Sequence, residues 1–379
     1  MRILHTLHSF GINSGGISTC TYDLLKGLNE IDCFTDVLTL EMIDPTDQMI
    51  GNESWVKSQV YDAMSPFGIS LNIKKYLQSE NKYNLYHTNG LWLYCNHITA
   101  SIAREKCKPY IISPHGMLYP QALLRSAWKK SIMKKLFFDR DISMANCIHV
   151  TCKEEMFYYR KLQFDNPVAV IPNPAPIIES PDFHLKDKKF RVGFLGRIHP
   201  RKHIERIIYA WNCLSNLVAN SELLIMGKGD YSYMKFLKQE VKRLKLQNVL
   251  FIDFVSGNEK YEKLASLSCL CVPSDFENFG MIITEALSVG TPVIASKGTP
   301  WEELNTHHCG WWVDNDVDTL ATTIREALAI SEEERIAMGK RGQQLVKENY
   351  SAEMVAQKMK GLYEWILYGG QKPDFVYLK

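Results

Sequence analysis

The sequence predicts an α/β protein built from two doubly wound parallel sheets. Three observations carry this. Short apolar, β-branched runs alternate with segments of helical periodicity along most of the chain, the pattern of successive βαβ units. The alternation stops at Pro172-Asn173-Pro174-Ala175-Pro176 and a polar stretch running to Lys189, then restarts. Further on, Cys269–Val272, Pro273-Ser274, Glu277, Gly280, an apolar helical run, Gly290-Thr291-Pro292 and Val293–Ser296 follow one another. They read as strand, loop, helix, stop and strand.

Taken in order, residues 3–7 form the first strand. Residues 11–16 are a glycine-containing loop, and 17–28 carry apolar residues at helical spacing. Further strands are predicted at 36–40, 85–87, 109–113, 148–151 and 168–171, with helices at 96–106, 122–137 and 153–162. Four prolines up to Pro181 and a lack of periodicity mark 173–189 as a linker. Strands resume at 190–195, 223–226, 249–252, 269–272 and 293–295, and 331–367 reads as helical throughout. The expected division is 1–172, the linker 173–189, a second domain 190–350, and a helix with its tail at 351–379. No repeat of solenoid length occurs.

A chain of 379 residues has room for two or three domains with their own cores. Hydrophobic content of 46% and charged content of 23% are those of a soluble globular protein. The ten cysteines include no C-x-x-C pair, which fits buried thiols in a reducing cytosol better than a disulfide framework. The N-terminal apolar run is too short for a signal peptide, and no run reaches the length of a membrane span. A cytoplasmic location follows as the expectation.

The net charge of +2 is unevenly spread. Between Arg104 and Arg140 nine Lys/Arg stand against Glu105 and Asp139. Within it, 125–138 mixes Arg125, Lys129, Lys130, Lys134 and Lys135 with Trp128, Ile132, Leu136, Phe137 and Phe138. The bland reading is a packed helix with a solvated lysine edge. The functional one is contact with an anionic membrane surface, placing the protein peripherally on the cytoplasmic face of the inner membrane. No nucleic-acid-reading module is evident, so no nucleic-acid partner is expected.

The chemistry concentrates in the second half. Glu277 and Glu285 are eight positions apart, about 800° of helical rotation, with Gly280 between them at a helix start. A helix N-terminus offers unpaired N–H groups and a positive dipole end, which suit a phosphate. Standing alone, Glu277 would be a capping acid and Glu285 a solvent-facing one. The βαβ setting puts them where open α/β sheets bind ligands, at the carboxyl edge of the strands. Arg197 and Lys202 bracket another strand-to-helix loop, where a fork and a point charge could clamp a diphosphate; the alternative is a solvated basic turn. Gly227-Lys228-Gly229 ends a further strand and suits close backbone approach beside a nucleotide. His199 and His203 stand at i, i+4, a possible metal pair, but no third ligand is apparent and the neighbouring cations oppose one.

In order and spacing, Gly196-Arg197…Lys202, Gly227-Lys228-Gly229, Pro273-Ser274…Glu277-Asn278-Phe279-Gly280…Glu285-Ala286 and Gly290-Thr291-Pro292-Val293-Ile294-Ala295 resemble glycosyltransferase family 4, including its bacterial surface-polysaccharide members. Gly15-Gly16-Ile17 and His115-Gly116 extend the resemblance more loosely into the first half. It implies the GT-B fold, two Rossmann-like domains facing a cleft with the C-terminal helix crossing back to the first. It implies retaining transfer of a hexose from a nucleotide-sugar donor, UDP favoured over GDP, to a saccharide or lipid-linked saccharide acceptor in surface polysaccharide synthesis, with no cofactor and no metal.

By position, the resemblance gives Arg197 and Lys202 to the donor diphosphate. Phe279, Gly280, Met281 and Ile282 would approach it or the sugar through backbone amides. Glu277 would hold sugar hydroxyls, and Glu285 the ribose. Gly15 and Gly16 would let their loop approach the donor, His115 would contact the sugar near its anomeric centre, and Gly227 and Val255 would flank the base. Asn278 departs from the family's commoner glycine, and Lys228 from a position often acidic. The rivals are a metal-dependent Asp-x-Asp transferase using Asp139/Asp141 or Asp314/Asp316, a two-Rossmann epimerase, and a non-catalytic scaffold.

Overall fold

Parallel strands need long crossovers, and the predicted helices supply them. The computed structural model describes residues 1–11, 15–40, 53–65, 67–178 and 189–378; most of the predicted linker therefore lies outside the described residues. The chain divides into two compact units, Met1–Pro174 with Ala352–Lys379, and Ala175–Ser351. The first unit contains β1 (Arg2–Thr6), β2 (Phe34–Leu40), β3 (Lys57–Tyr61), β4 (Leu85–Asn89), β5 (Tyr110–Ser113), β6 (Cys147–Val150) and β7 (Val168–Val170). The second contains β8 (Arg191–Leu195), β9 (Glu222–Met226), β10 (Val249–Ile252), β11 (Cys269–Val272), β12 (Val293–Ser296) and β13 (Gly310–Val313). The tail returns to the first unit as β14 (Val376–Tyr377).

The first sheet runs β14-β7-β6-β5-β4-β1-β2-β3 and the second β10-β9-β8-β11-β12-β13. Every pairing is parallel except β14 on β7. Both sheets are doubly wound, as predicted. Their strands are apolar on both faces because helices cover both; Leu4, Tyr86, Tyr110 and Ile112 pack to one side of the first sheet, while Ile3, Leu85 and Ile111 pack to the other.

The second face of the first sheet is completed by the C-terminal helix Ala352–Tyr368. It buries Val355, Met359, Leu362 and Tyr363 and lies along the helix Gly16–Glu30. Close approach there depends on Gly27, where a Cβ would meet the Ala352 carbonyl oxygen at 2.6 Å. The predicted crossing-back of this helix is thus a matter of core completion.

The structure departs from the predicted elements in three ways. The helix expected over 331–367 is two, Glu332–Asn349 and Ala352–Tyr368. Tyr350 leaves helical geometry at φ −125°, and its carbonyl accepts from the Ala175 amide at 2.7 Å. The helix expected over 122–137 is broken into Pro120–Leu124, Ala127–Met133 and a π-helical turn Lys134–Phe138, with Ser126 left-handed between the first two. Finally, β3, β13, β14 and the helix Leu71–Ser79 had no element assigned to them.

Candidate functional site

In the second unit, β8 is the first strand and its neighbours are β9 on one side and β11 on the other. The winding direction therefore reverses between β8 and β11, the point where open sheets leave a crevice at the carboxyl edge. The loop after β8 carries Arg197 and Lys202; the loop after β11 carries Glu277 and Gly280. Arg197 is exposed. A 3-10 turn, Pro200–Lys202, then turns the chain inward, and the Lys202 ammonium donates to Glu277 Oε1. The Ser274 hydroxyl donates to the same oxygen at 2.7 Å, and the Glu277 amide is fixed on the Gly298 carbonyl at 2.9 Å. Glu277 precedes the helix Met281–Ser288 and is not part of it.

That helix begins at Gly280 with φ +82°, and no side chain caps it. A left-handed N-cap favours glycine, and an uncapped first turn presents amides suited to an anion. Phe279 is buried against Trp301 and Tyr350, and its carbonyl accepts from the Trp301 indole, which anchors the residue just before the turn. Met281 and Ile282 are half-buried in the first turn. A cation, a carboxylate and a helix N-terminus are thus assembled at one edge of the sheet.

Glu285 lies one turn further in, 9% exposed. It pairs with Lys260, whose ammonium stands 2.9 Å from Oε1. Burial lowers the Lys260 pKa, but the charge and hydrogen bond of Glu285, together with Tyr261, outweigh that and leave it raised. Lys260 was missed at the sequence level because it comes from another helix, Gly257–Ala265, and nothing in its neighbourhood distinguishes it from a surface lysine. Ser274 belongs to the motif, but spacing alone gave it no role.

The Gly227-Lys228-Gly229 loop has a packing role visible within the unit. It is zipped to the loop after β8: the Gly196 amide donates to the Met226 carbonyl at 3.1 Å, Ile198 to Lys228 at 3.0 Å, and Asp230 to Ile198 at 2.8 Å. A Cβ on Gly227 would meet the Gly196 oxygen at 2.0 Å, and one on Gly229 the Ile198 oxygen at 2.1 Å. Val255 is buried just beyond β10, and Lys228 stands 4.9 Å from the centre of the exposed Phe254 ring.

Other sequence candidates are placed in structural contacts. His199 and His203 do not share a helical face, because His203 is left-handed at φ +49° between the 3-10 turn and the next helix. His203 bonds Glu205 at 2.8 Å and also Asp275, which further binds Arg206 and Asn315. Asp316 caps the helix Val317–Ala329 through the Thr319 amide at 2.9 Å, and Asp314 pairs with Lys297. Asp141 is buried between Arg104 and His97, both at 2.7 Å. Asp139 pairs with Lys134. No cluster of three metal-ligating side chains occurs among the described residues.

In the first unit, His115 follows β5 in a left-handed conformation at φ +49°. Its Nε2 lies 3.2 Å from Asn89 Oδ1. The turn is held by Glu155, a buried carboxylate that accepts from the Gly116 amide at 2.5 Å and the Thr151 amide at 2.9 Å. Burial, with help from the neighbouring His149, lowers the His115 pKa to about 3. Gly15 has φ +100° and precedes the helix beginning at Gly16; both glycines are exposed, and no atom of the described residues lies within 4 Å of where a Cβ would stand.

Two family models match successive parts of the chain: glycosyltransferase family 4 over residues 14–177 and glycosyl transferases group 1 over residues 177–345. The alpha-1,3/1,6-mannosyltransferase alg2 of Schizosaccharomyces pombe is 24% identical over 369 residues, covering 84% of this chain and 70% of that protein. A GDP-mannose-dependent alpha-mannosyltransferase of Mycolicibacterium smegmatis is 29% identical over 196 residues, or 49% of this chain and 47% of its own; the chain thus spans about half of that relative. Among solved structures, HepE of Anabaena in complex with UDP and glucose superposes with a TM-score of 0.77 at 19% identity, covering 96% of this chain and 99% of that one. Sucrose-phosphate synthase of Thermosynechococcus elongatus gives 0.78 at 20% identity, covering 97% and 100%. The fold of these structures is that of the two sheets described above. With successive family models covering residues 14–345 and a shared GT-B fold, the chain belongs to glycosyltransferase family 4.

Proposed function

We propose that the protein transfers a mannosyl group from GDP-mannose to a lipid-linked saccharide, with retention at the anomeric carbon and without a metal. The observation that carries the transfer chemistry is the Lys202–Glu277 pair beside the uncapped helix at Gly280. Departure of a nucleoside diphosphate builds negative charge on its phosphate oxygens. Arg197, Lys202 and the Met281 and Ile282 amides would stabilise that charge more in the transition state than in the ground state. Taking Lys202 onto the diphosphate would free Glu277 for sugar hydroxyls, while Glu285 would receive the ribose. With Glu277 and Glu285 so used, neither glutamate of the site serves as a nucleophile on the opposite sugar face. We therefore assign front-face attack: the acceptor oxygen bonds to the anomeric carbon, the carbon–phosphate oxygen bond breaks, and the acceptor proton goes to the leaving phosphate.

The family resemblance alone favoured UDP. The mannosyltransferase relatives, named as GDP-mannose-dependent, shift the proposal to GDP-mannose. A thermal-shift panel of GDP, UDP, GDP-mannose and UDP-glucose tests this. Ligand at about 100 times its Kd adds roughly 2.7 kcal/mol of stability. GDP and GDP-mannose should raise Tm, and Glu285→Gln should weaken both responses about tenfold in concentration while Glu277→Gln leaves the GDP response intact. A shift with UDP alone overturns the donor assignment. Nucleotide binding without transfer to any saccharide acceptor overturns the transferase reading in favour of a scaffold or an epimerase.

A lipid-linked acceptor is supported by the basic segment of the first unit. No helix among the described residues is long and apolar enough to cross a membrane. Yet Leu124, Trp128, Ile132 and Leu136, four positions apart, are each at least half exposed, and Arg125, Lys129 and Lys135 are exposed among them. Large apolar side chains interleaved with cations suit an anionic lipid surface. The protein should co-sediment with vesicles containing anionic lipid at low salt, with Trp128 fluorescence shifted to the blue. Lys129→Glu with Lys135→Glu should reduce binding at least tenfold, whereas equal binding to neutral vesicles, or none at all, removes the membrane assignment.

A further inference from the structure

Beneath the first unit's carboxyl edge, side chains from four adjacent strands and the C-terminal helix form one continuous hydrogen-bonded chain. It starts at a backbone carbonyl. His149 Nε2 lies 2.8 Å from the Ile171 oxygen, and His149 Nδ1 lies 2.6 Å from the Ser113 hydroxyl. Ser113 is 2.6 Å from His87 Nε2; His87 Nδ1 is 2.8 Å from the Tyr363 hydroxyl. Tyr363 in turn is 3.0 Å from His5 Nε2, His5 Nδ1 is 3.3 Å from Asn89 Nδ2, and Asn89 Oδ1 is 3.2 Å from His115 Nε2. His5, His87, His149, Ser113, Asn89 and Tyr363 are all buried. Parallel register brings them together, since His5 stands opposite His87 and Asn89 opposite Ser113.

The direction of every bond in this chain is forced. Burial and the neighbouring imidazoles hold His5 to a pKa of about 3; burial holds His149 to about 4, and His87 is well below its ordinary value for both reasons. Neutral imidazole has one N–H and one lone pair. A carbonyl only accepts, so His149 carries its proton on Nε2 and accepts at Nδ1 from Ser113. Ser113 then accepts from His87 Nε2–H, and His87 Nδ1 accepts from Tyr363. The Tyr363 oxygen accepts from His5 Nε2–H, and His5 Nδ1 accepts from the Asn89 amide nitrogen. Asn89 Oδ1 is left facing His115 and requires a donor there.

We propose that this chain fixes the tautomer of His115, with the proton on Nε2 and Nδ1 kept as a hydrogen-bond acceptor. His5, His87, Ser113, His149, Asn89 and Tyr363 are then positioning residues for that imidazole, and Tyr363 ties its state to the C-terminal helix. The ring atom not held by the protein is what decides whether a histidine donates or accepts toward a ligand. Set this way, Nδ1, which makes no hydrogen bond among the described residues, can accept from a hydroxyl of the sugar or the incoming acceptor. The functional consequence rests on the contact of His115 with the sugar that the family resemblance implies; the tautomer does not.

Long-range 15N–1H spectra of the histidine-labelled full chain read the tautomers directly. His115, His5, His87 and His149 should all show a protonated Nε2. Tyr363→Phe removes the acceptor of the His5 Nε2 proton. His5 should then move its proton to Nδ1, the Asn89 amide should turn over, and His115 should change to the Nδ1–H form, with kcat falling about tenfold and donor KM unchanged. If Tyr363→Phe fails to fold, Ser113→Ala cuts the same chain between His87 and His149. A wild-type His115 protonated on Nδ1, or a folded Tyr363→Phe protein with an unchanged His115 tautomer, overturns the proposal. A correct tautomer pattern combined with an indifferent His115→Ala enzyme leaves the chain intact and overturns only the sugar contact.

Discussion

Replacing Lys202 by alanine is expected to lower turnover about a hundredfold, the scale found when one donor to a developing oxyanion is lost. The same is expected of Arg197→Ala. Both changes should leave the second unit folded, for different reasons. Arg197 is exposed. Lys202 is half-buried against Glu277, but that carboxylate keeps the Ser274 hydroxyl at 2.7 Å, and its backbone stays on Gly298. If the cations act on the leaving diphosphate, kcat/KM and kcat should fall together, because the lost interaction strengthens as charge develops. A rise in KM at constant kcat would mean that they only bind the donor. Unchanged rates in both variants would remove them from the site. Steady-state kinetics with the donor identified by thermal shift make the measurement.

Gly227→Ala should prevent the second unit from folding stably. The native φ is +137°, a region that side chains rarely enter, and the added Cβ would stand 2.0 Å from the Gly196 carbonyl oxygen. That oxygen belongs to backbone pinned by the Gly196-to-Met226 hydrogen bond, so it cannot move without opening the β8–β9 edge. Backbone strain alone costs about 1–3 kcal/mol, and the collision adds to it. Against a total stability of about 5–15 kcal/mol, the expected result is insoluble protein or a Tm lowered by ten degrees or more. A variant melting like wild type but no longer responding to nucleotide would instead assign this glycine to ligand approach, as its position in the sequence suggests. The substitution also reaches the cations, because the loop it disturbs carries Arg197 next to Ile198, which bridges to Gly229.

Most of the fold was legible because its strands are short, apolar and buried on both faces. Several of their runs, β4, β5, β8, β9 and β11, end directly at glycine or proline, and the intervening helices show a clear 3.6-residue period. What escaped detection lacked that signal. β14 is two residues long and depends on pairing with β7. β13 has two tryptophans but acts as a strand through its register on β12. The break at Tyr350 has no proline or glycine; a tertiary hydrogen bond to Ala175 makes it. Likewise the basic segment reads as one helix of mixed character, whereas the structure breaks it and exposes Leu124, Trp128, Ile132 and Leu136.

The site divides along the same line. Which residues are candidates for the chemistry was legible in the sequence: glycines where a helix must start from left-handed backbone, cations in a strand-to-helix loop, and glutamates around a helix N-terminus are local patterns with local causes. Which of them meet was decided by tertiary structure alone. Strand order placed β8 beside β11, joining Lys202 to Glu277 across 75 positions. Helix packing gave Glu285 the partner Lys260, and parallel register joined His5 to His87, with Tyr363 reaching both from the far end of the chain. Spacing along a chain fixes what one helix or turn can present. The pairing of buried charges and the direction of a buried hydrogen bond depend on the group that folding brings opposite.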